Sequence, residues 1–172
     1  MPALDNEILL TPQGLKRIEE ELQELKNSRR RDIAEKIRQA RAHGDLSENA
    51  EYDEAKKEQA ILENRIGQLE ATLRRARVVR REDVDDQRVG VGSQVLITDE
   101  ATGEQFMYAI VGGVKESDPS RNRISYRSPV GKALYGQTVG DTVRVRLPDG
   151  QVYYRIEQLG WIDMAEEEDS TG

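Results

Sequence analysis

YDEAKKEQAILENRIGQLEATLRRA, residues 52–76, places Tyr52, Ala55, Gln59, Leu62, Ile66, Leu69, Leu73 and Ala76 at alternating steps of three and four. That is the repeat of a helix meeting one partner along a narrow seam, with Gln59 its only polar position. A second run lies upstream. Thr11-Pro12 reads as an N-cap followed by proline at the first helical position. Leu15, Ile18, Leu22 and Leu25 then keep the same spacing. Arg29 continues that register, but the apolar face resumes at Ile33, Ile37 and Ala40, a slip of one residue. Neither run has a second apolar face, so each needs one partner. The short polar break from Gly44 to Asn49 makes the other run the nearest one. An antiparallel hairpin follows, with arms of about 30 residues and about 45 Å. A rod of that kind encloses no active site, but it can carry its tip somewhere. The same seam would also suit an ordinary homodimeric coiled coil.

The rest of the chain reads as a small α+β unit. Gln94–Thr98 and Phe106–Val111 are strand patterns around the turn signal Ala101-Thr102-Gly103-Glu104. Val143, Val145 and Leu147, then Val152, Tyr154 and Ile156, alternate on either side of Pro148-Asp149-Gly150, which predicts a hairpin. Ser128-Pro129 opens a short helix. The expected organisation is a hairpin at 1–81, a charged linker at 82–86, a globular domain at 87–164 and a disordered acidic tail at 165–172.

Composition excludes several chemistries. The 172 residues contain no cysteine and one histidine, His43. Disulfides, thiol catalysis, Cys-ligated zinc and multi-histidine metal sites are therefore ruled out. No apolar run approaches a membrane span and the N-terminus lacks a basic signal region, so a cytoplasmic chain is expected. Net charge is −7 but uneven: residues 11–81 hold 17 Lys and Arg against 14 Asp and Glu, and the remainder is strongly acidic. An acidic whole does not suit free duplex DNA. In the globular half the Gly112-Gly113 and Gly90-x-Gly92 pairs lack the strand–glycine–helix context of a phosphate loop. Trp161 reads as a core or docking residue rather than a ligand platform.

The tip has the densest chemistry. Gly44 to Glu54 contains five acids and no base, after a basic helix with Lys26, Arg29, Arg30, Arg31, Lys36, Arg38 and Arg41. Asp45 and Glu48 have the spacing of a capping box. The same pair can offer hard oxygen ligands to Mg²⁺ or Mn²⁺, though too few to hold such an ion alone. The second reading implies a borrowed site, completed inside another protein.

GDLSENAEYDEAKKEQ, residues 44–59, resembles the coiled-coil tip of the GreA/GreB family of bacterial transcript cleavage factors. Leu46 and Tyr52-Asp53 are closer to its GreA branch. The likeness extends to LTPQGLKRIEEELQELK at 10–26, ENRIGQLEATL at 63–73 and SPVGKALYGQTVGDTV at 128–143. The last resembles the family's FKBP-like C-terminal domain. The resemblance implies an α+β fold: an N-terminal antiparallel coiled-coil hairpin, then a small FKBP-like antiparallel β-sheet domain with a short helix. It implies binding to bacterial RNA polymerase, the globular domain at the rim of the secondary channel and the coiled coil inside it. Asp45 and Glu48 would help hold a Mg²⁺ shared with the polymerase and position water, so that the polymerase cuts its own backtracked RNA. The factor itself would not be an enzyme. Gly44, Leu46, Ser47, Asn49 and Tyr52 would shape the tip or touch the polymerase active site. Arg38 and Arg41 are candidates to face the nascent RNA 3′ end, on charge alone. The factor is expected to be monomeric off the polymerase and to need no membrane.

Two other functions fit parts of the pattern. A Gre-fold paralogue could inhibit polymerase through the same channel, but the intact GDLSEN motif argues against it. A peptidyl-prolyl isomerase is suggested only by the FKBP-like likeness, and so few aromatic residues make a proline pocket doubtful. Without cysteine, a zinc-finger channel binder is disfavoured.

Overall fold

The computed structural model describes residues 7–42, 49–113 and 116–162. The chain divides into two compact units, one spanning Lys16–Arg75 and the other formed by the chain on either side of it.

Helix α1 covers Pro12–Glu24, α2 covers Arg30–Ala42 and α3 covers Ala50–Arg75. At the start of α1, Thr11 Oγ1 accepts from Gly14 N at 3.1 Å, as the Thr-Pro signal predicts. Between α1 and α2 the helix does not break. It widens into a π-helical turn at Leu25–Arg29. Such a turn accommodates one extra residue, and this is the physical form of the slip in the seam. Leu22 and Leu25 before it and Ile33 and Ile37 after it pack in one cluster with Tyr52, Ala55, Leu62 and Ile66 of α3. Removing Ser28 should therefore leave an unbroken α-helix with Leu25 and the isoleucines still facing α3. The deletion variant is expected to melt within about 1 kcal/mol of the parent by urea denaturation, whereas a deletion inside α3 should lose the hairpin.

The arms run antiparallel. Lys26 pairs with Glu70 at 2.6 Å, Arg30 with Glu63 at 2.8 Å and Lys36 with Glu58 at 3.0 Å, the partner number falling as the first rises. These pairs are exposed, so they set register more than they add stability. The hydrogen bond from Arg30 holds the Glu63 carboxyl below its ordinary value, and that from Lys26 does the same for Glu70. A depressed carboxyl contributes stability above the unfolded value of 4.5, and the contribution is lost as pH falls through the lower folded value. Melting of the hairpin followed by circular dichroism should thus be level from neutral pH down to about 5 and decline below 4.5, less steeply in high salt.

Three readings change at the foot of the hairpin. Ala76, expected to be the last seam position of the second helix, instead opens a strand. Strand β1 at Ile8–Leu10 and strand β2 at Ala76–Val78 form a parallel two-stranded ladder. The compact unit of the hairpin consequently ends at Arg75, six residues before the expected boundary at Arg81. Nor is 82–86 a free linker. A 3₁₀ turn covers Arg81–Asp83, and Val84 is buried with Leu9, Val79 and Val91.

The other unit is built on a five-stranded sheet in the order β5–β4–β3–β7–β6. Its strands are β3 at Ser93–Asp99, β4 at Gln105–Val111, β5 at Arg123–Ser125, β6 at Thr142–Leu147 and β7 at Gly150–Trp161. The expected antiparallel sheet holds for four strands, but edge strand β5 runs parallel to β4. The predicted β6–β7 hairpin forms around Pro148–Gly150, with Val145 opposite Val152. The short helix α4, Pro129–Leu134, is capped by Ser128, whose Oγ accepts from Gly131 N at 3.0 Å. Val95, Ile97, Ile110, Leu134, Val143, Val145 and Ile156 make the core. Burying these branched side chains is worth roughly 1.5–3 kcal/mol each before chain entropy is counted.

A register shift at Leu96/Ile97 in the β3–β7 ladder leaves Glu157 as the extra residue on β7. The bulge changes the phase, so Leu159 rather than Gln158 faces Val95. Trp161 is not a core residue: it is 49% exposed at the strand end, with the Arg81 guanidinium 3.8 Å over its ring.

Candidate functional site

Gly44, Asp45, Leu46, Ser47 and Glu48 lie outside the described residues, as does the acidic tail. The turns of helix that bracket 43–48 are described, and they show which residue caps the second arm. Helix α3 begins at Ala50. Asn49 Oδ1 accepts from Tyr52 N at 3.1 Å, and Asp53 N donates to the Asn49 carbonyl at 3.2 Å. Asn49 is therefore the N-cap of α3, while the capping-box and metal-ligand readings of Asp45 and Glu48 both fall outside the described residues. Asn caps as well as Asp does, and it stands directly before the first helical turn. Both acids precede this cap in sequence. The sequence placed Asn49 at the tip but missed this role, because the Asp45–Glu48 spacing offered a competing cap.

The other tip residues divide. Tyr52 packs against the seam cluster, and its ring lies 5.8 Å from the Arg41 guanidinium carbon. Arg38 is tied to Glu35 in its own helix, Nε to Oε2 at 2.9 Å. This hydrogen bond keeps the Glu35 carboxyl low and the Arg38 guanidinium high. Arg38 and Arg41 both remain exposed. Arg29 and Arg31, in the basic shaft, are exposed too. The structure thus groups Asn49, Tyr52 and Arg41 at the hairpin end and leaves Arg38 one turn lower.

Among the described residues no cluster of three or more His, Asp or Glu could hold a metal. Two carboxylates at 45 and 48 still fit a hard divalent ion chemically, as a partial set whose other ligands come from elsewhere. In the globular unit a groove of about 530 Å³ is lined by Leu9, Arg77, Val84, Arg88, Val89 and Tyr135 among others, with Tyr135 the one aromatic side chain among the described residues that line it. Phe106 is turned to Tyr108 and Tyr154 instead. That arrangement offers little to a proline ring. No described helix is long and apolar enough to cross a membrane.

Comparison with known proteins covers both units. Residues 8–78 match the family model described as "Transcription elongation factor, N-terminal", and residues 84–159 match that described as "Transcription elongation factor, GreA/GreB, C-term". The chain is 51% identical over 152 residues to transcription elongation factor GreA of Thermoanaerobacter pseudethanolicus, covering 88% of this chain and 96% of that protein. It is 48% identical over 157 residues to the GreA of Acetivibrio thermocellus, covering 91% and 98%. Among solved structures it aligns with GreA factor homolog 1 of Thermus thermophilus at 28% identity, covering 90% of this chain and 99% of that one with a TM-score of 0.41.

Proposed function

On the premise that this chain belongs to the GreA/GreB family of transcription elongation factors, we propose that it makes RNA polymerase cleave its own backtracked transcript. The supporting observation is the match of both units to the family's models, together with Asn49, rather than either acid of the GDLSEN stretch, as the N-cap of α3. The hairpin enters the secondary channel of the polymerase and brings its tip to the active site. There Asp45 and Glu48 present paired carboxylate oxygens to a Mg²⁺ held jointly with the enzyme and orient a water for attack on the RNA phosphodiester. The ion supplies charge stabilisation and a more acidic water. Arg38 and Arg41 face the extruded RNA 3′ end, where exposed guanidinium groups pair with phosphates. The globular unit supplies affinity at the channel rim. Outside the polymerase the factor is a cytoplasmic monomer without nuclease activity, since two carboxylates alone cannot hold the ion.

The test compares free RNA with a backtracked elongation complex, both with Mg²⁺. The protein should release 3′ RNA from the complex and leave free RNA intact. Slower cleavage than polymerase alone would favour the inhibitory paralogue. A second arm follows from the Arg38–Glu35 pairing: Arg38→Glu should weaken cleavage stimulation about tenfold without changing the melting temperature, because both side chains are solvated.

A further inference from the structure

The groove beside Arg77 and Arg88 lies wholly within the globular unit. Its floor is aliphatic, with Val84, Val89 and Val91 buried. The two arginines that line it are exposed. Glu7 approaches Arg77 only to 3.7 Å, and no carboxylate among the described residues pairs with Arg88. The two acids on the groove are turned to their own backbone. Asp83 Oδ2 accepts from Arg80 N at 2.9 Å, and Asp85 Oδ1 accepts from Gln87 N at 2.8 Å. The groove thus sets cationic donors over an apolar floor, which suits an acidic segment with an apolar residue beside its charges.

The chain itself supplies such a segment next to the groove. Ile162, the last described residue, donates its N–H to the Gly92 carbonyl at 2.8 Å, and Gly92 follows the groove residue Val91. Residues 163–172 then read DMAEEEDSTG, with Met164 ahead of four consecutive acids at 166–169. Extended chain carries those acids up to about 25 Å from Ile162, more than the width of a groove of this volume.

We propose that the acidic tail is the occupant of this groove: it folds back so that Met164 meets the valine floor and the Glu166–Asp169 carboxylates pair with Arg77 and Arg88. This goes beyond the function proposed above and does not depend on it. Weak pairing suffices, because so short a tether gives an effective concentration on the order of millimolar. Occupied by its own tail, the groove is closed to acidic segments of other proteins.

The test keeps the full chain. Since the protein has no cysteine, Ser170→Cys gives a single site for a nitroxide label. At low salt the label should broaden the amide signals of Leu9, Val89 and Tyr135. The broadening should disappear in about 1 M NaCl, where the screening length falls to about 3 Å, and in the double variant Arg77→Ala/Arg88→Ala. Broadening that survives both changes, or none at those amides, overturns the proposal. A second arm titrates the synthetic peptide DMAEEEDSTG into the parent and into the full chain carrying Glu166→Gln, Glu167→Gln and Glu168→Gln. The peptide should shift the same groove amides saturably in the variant, and about tenfold more of it should be needed in the parent, whose tail competes. Equal affinity for the two proteins overturns occupancy by the tail. Absence of binding to the variant overturns the groove as a site for acidic segments.

Discussion

Alanine at Asp45 or Glu48 is expected to reduce cleavage stimulation by about 100-fold or more while leaving polymerase affinity within about twofold. The size follows from the chemistry. A carboxylate that helps hold an ion at the reacting phosphate contributes on the order of 3 kcal/mol to the transition state, and each 1.36 kcal/mol is tenfold. Affinity should survive because Asn49, not either acid, caps α3, so neither change should disturb the helix start. Asp45→Asn keeps the shape and removes the charge, and it should be nearly as inactive as the alanine variant. The measurement is the rate of 3′ RNA release from a backtracked complex at saturating factor, with affinity taken from the concentration dependence. Wild-type rates in both alanine variants would falsify the assignment of the pair. A parallel loss of affinity would instead make the acids contact residues.

The second large effect lies in the globular unit. Glu116 is only 6% exposed, yet it carries a carboxyl group. Thr11 N donates to its Oε2 at 3.3 Å and the Thr11 hydroxyl donates to its Oε1, while that same hydroxyl accepts from Gly14 N. The carboxyl thus sits at the N-terminus of α1, where free N–H groups and the helix dipole favour it. Glu116→Ala strands buried donors and should cost about 2–3 kcal/mol. For a chain of this size that lowers the melting temperature by roughly 5–10 °C. Gly14 and Gly112 flank the group, and a Cβ on either would overlap the Glu116 side chain. At Gly112 it would also overlap the Leu9 carbonyl. Gly112→Ala should therefore destabilise by about 1–3 kcal/mol, and combining it with Glu116→Ala should cost less than the two added together. Strict additivity in urea titrations would contradict the shared contact.

How much of this was legible depends on the distance over which each feature acts. The seam from Tyr52 to Leu69 could be read because a helix repeats its face every few residues, and Ala55, Leu62, Ile66 and Leu69 are indeed buried. The one-residue slip before Ile33 was visible, but whether a kink, a break or a π turn absorbs it depends on backbone hydrogen bonds that no residue type dictates. Strands β1 and β2 escaped detection because three residues are too few to show an alternation, and Ala76 also satisfied the helical repeat. The bulge at Glu157 escaped for a similar reason: Val152, Tyr154 and Ile156 alternate correctly, and the phase changes only after them. Glu116 could not have been found, since its partner Thr11 is 105 residues away and an isolated glutamate normally belongs on the surface. At the tip, the residue types in GDLSEN carried the acid pair and the family resemblance. Spacing drew attention to Asp45 and Glu48 as a capping box and passed over Asn49, whose role at the start of α3 is seen only once the helix start is placed.

The claim that this chain completes a metal site it does not own is tested most directly by titrating Mg²⁺ into a backtracked elongation complex, with and without saturating factor. The account predicts that the factor lowers the Mg²⁺ concentration giving half-maximal RNA cleavage, and that Asp45→Ala and Glu48→Ala bind the complex yet leave that concentration where polymerase alone sets it. An identical Mg²⁺ requirement with and without the wild-type factor would contradict it.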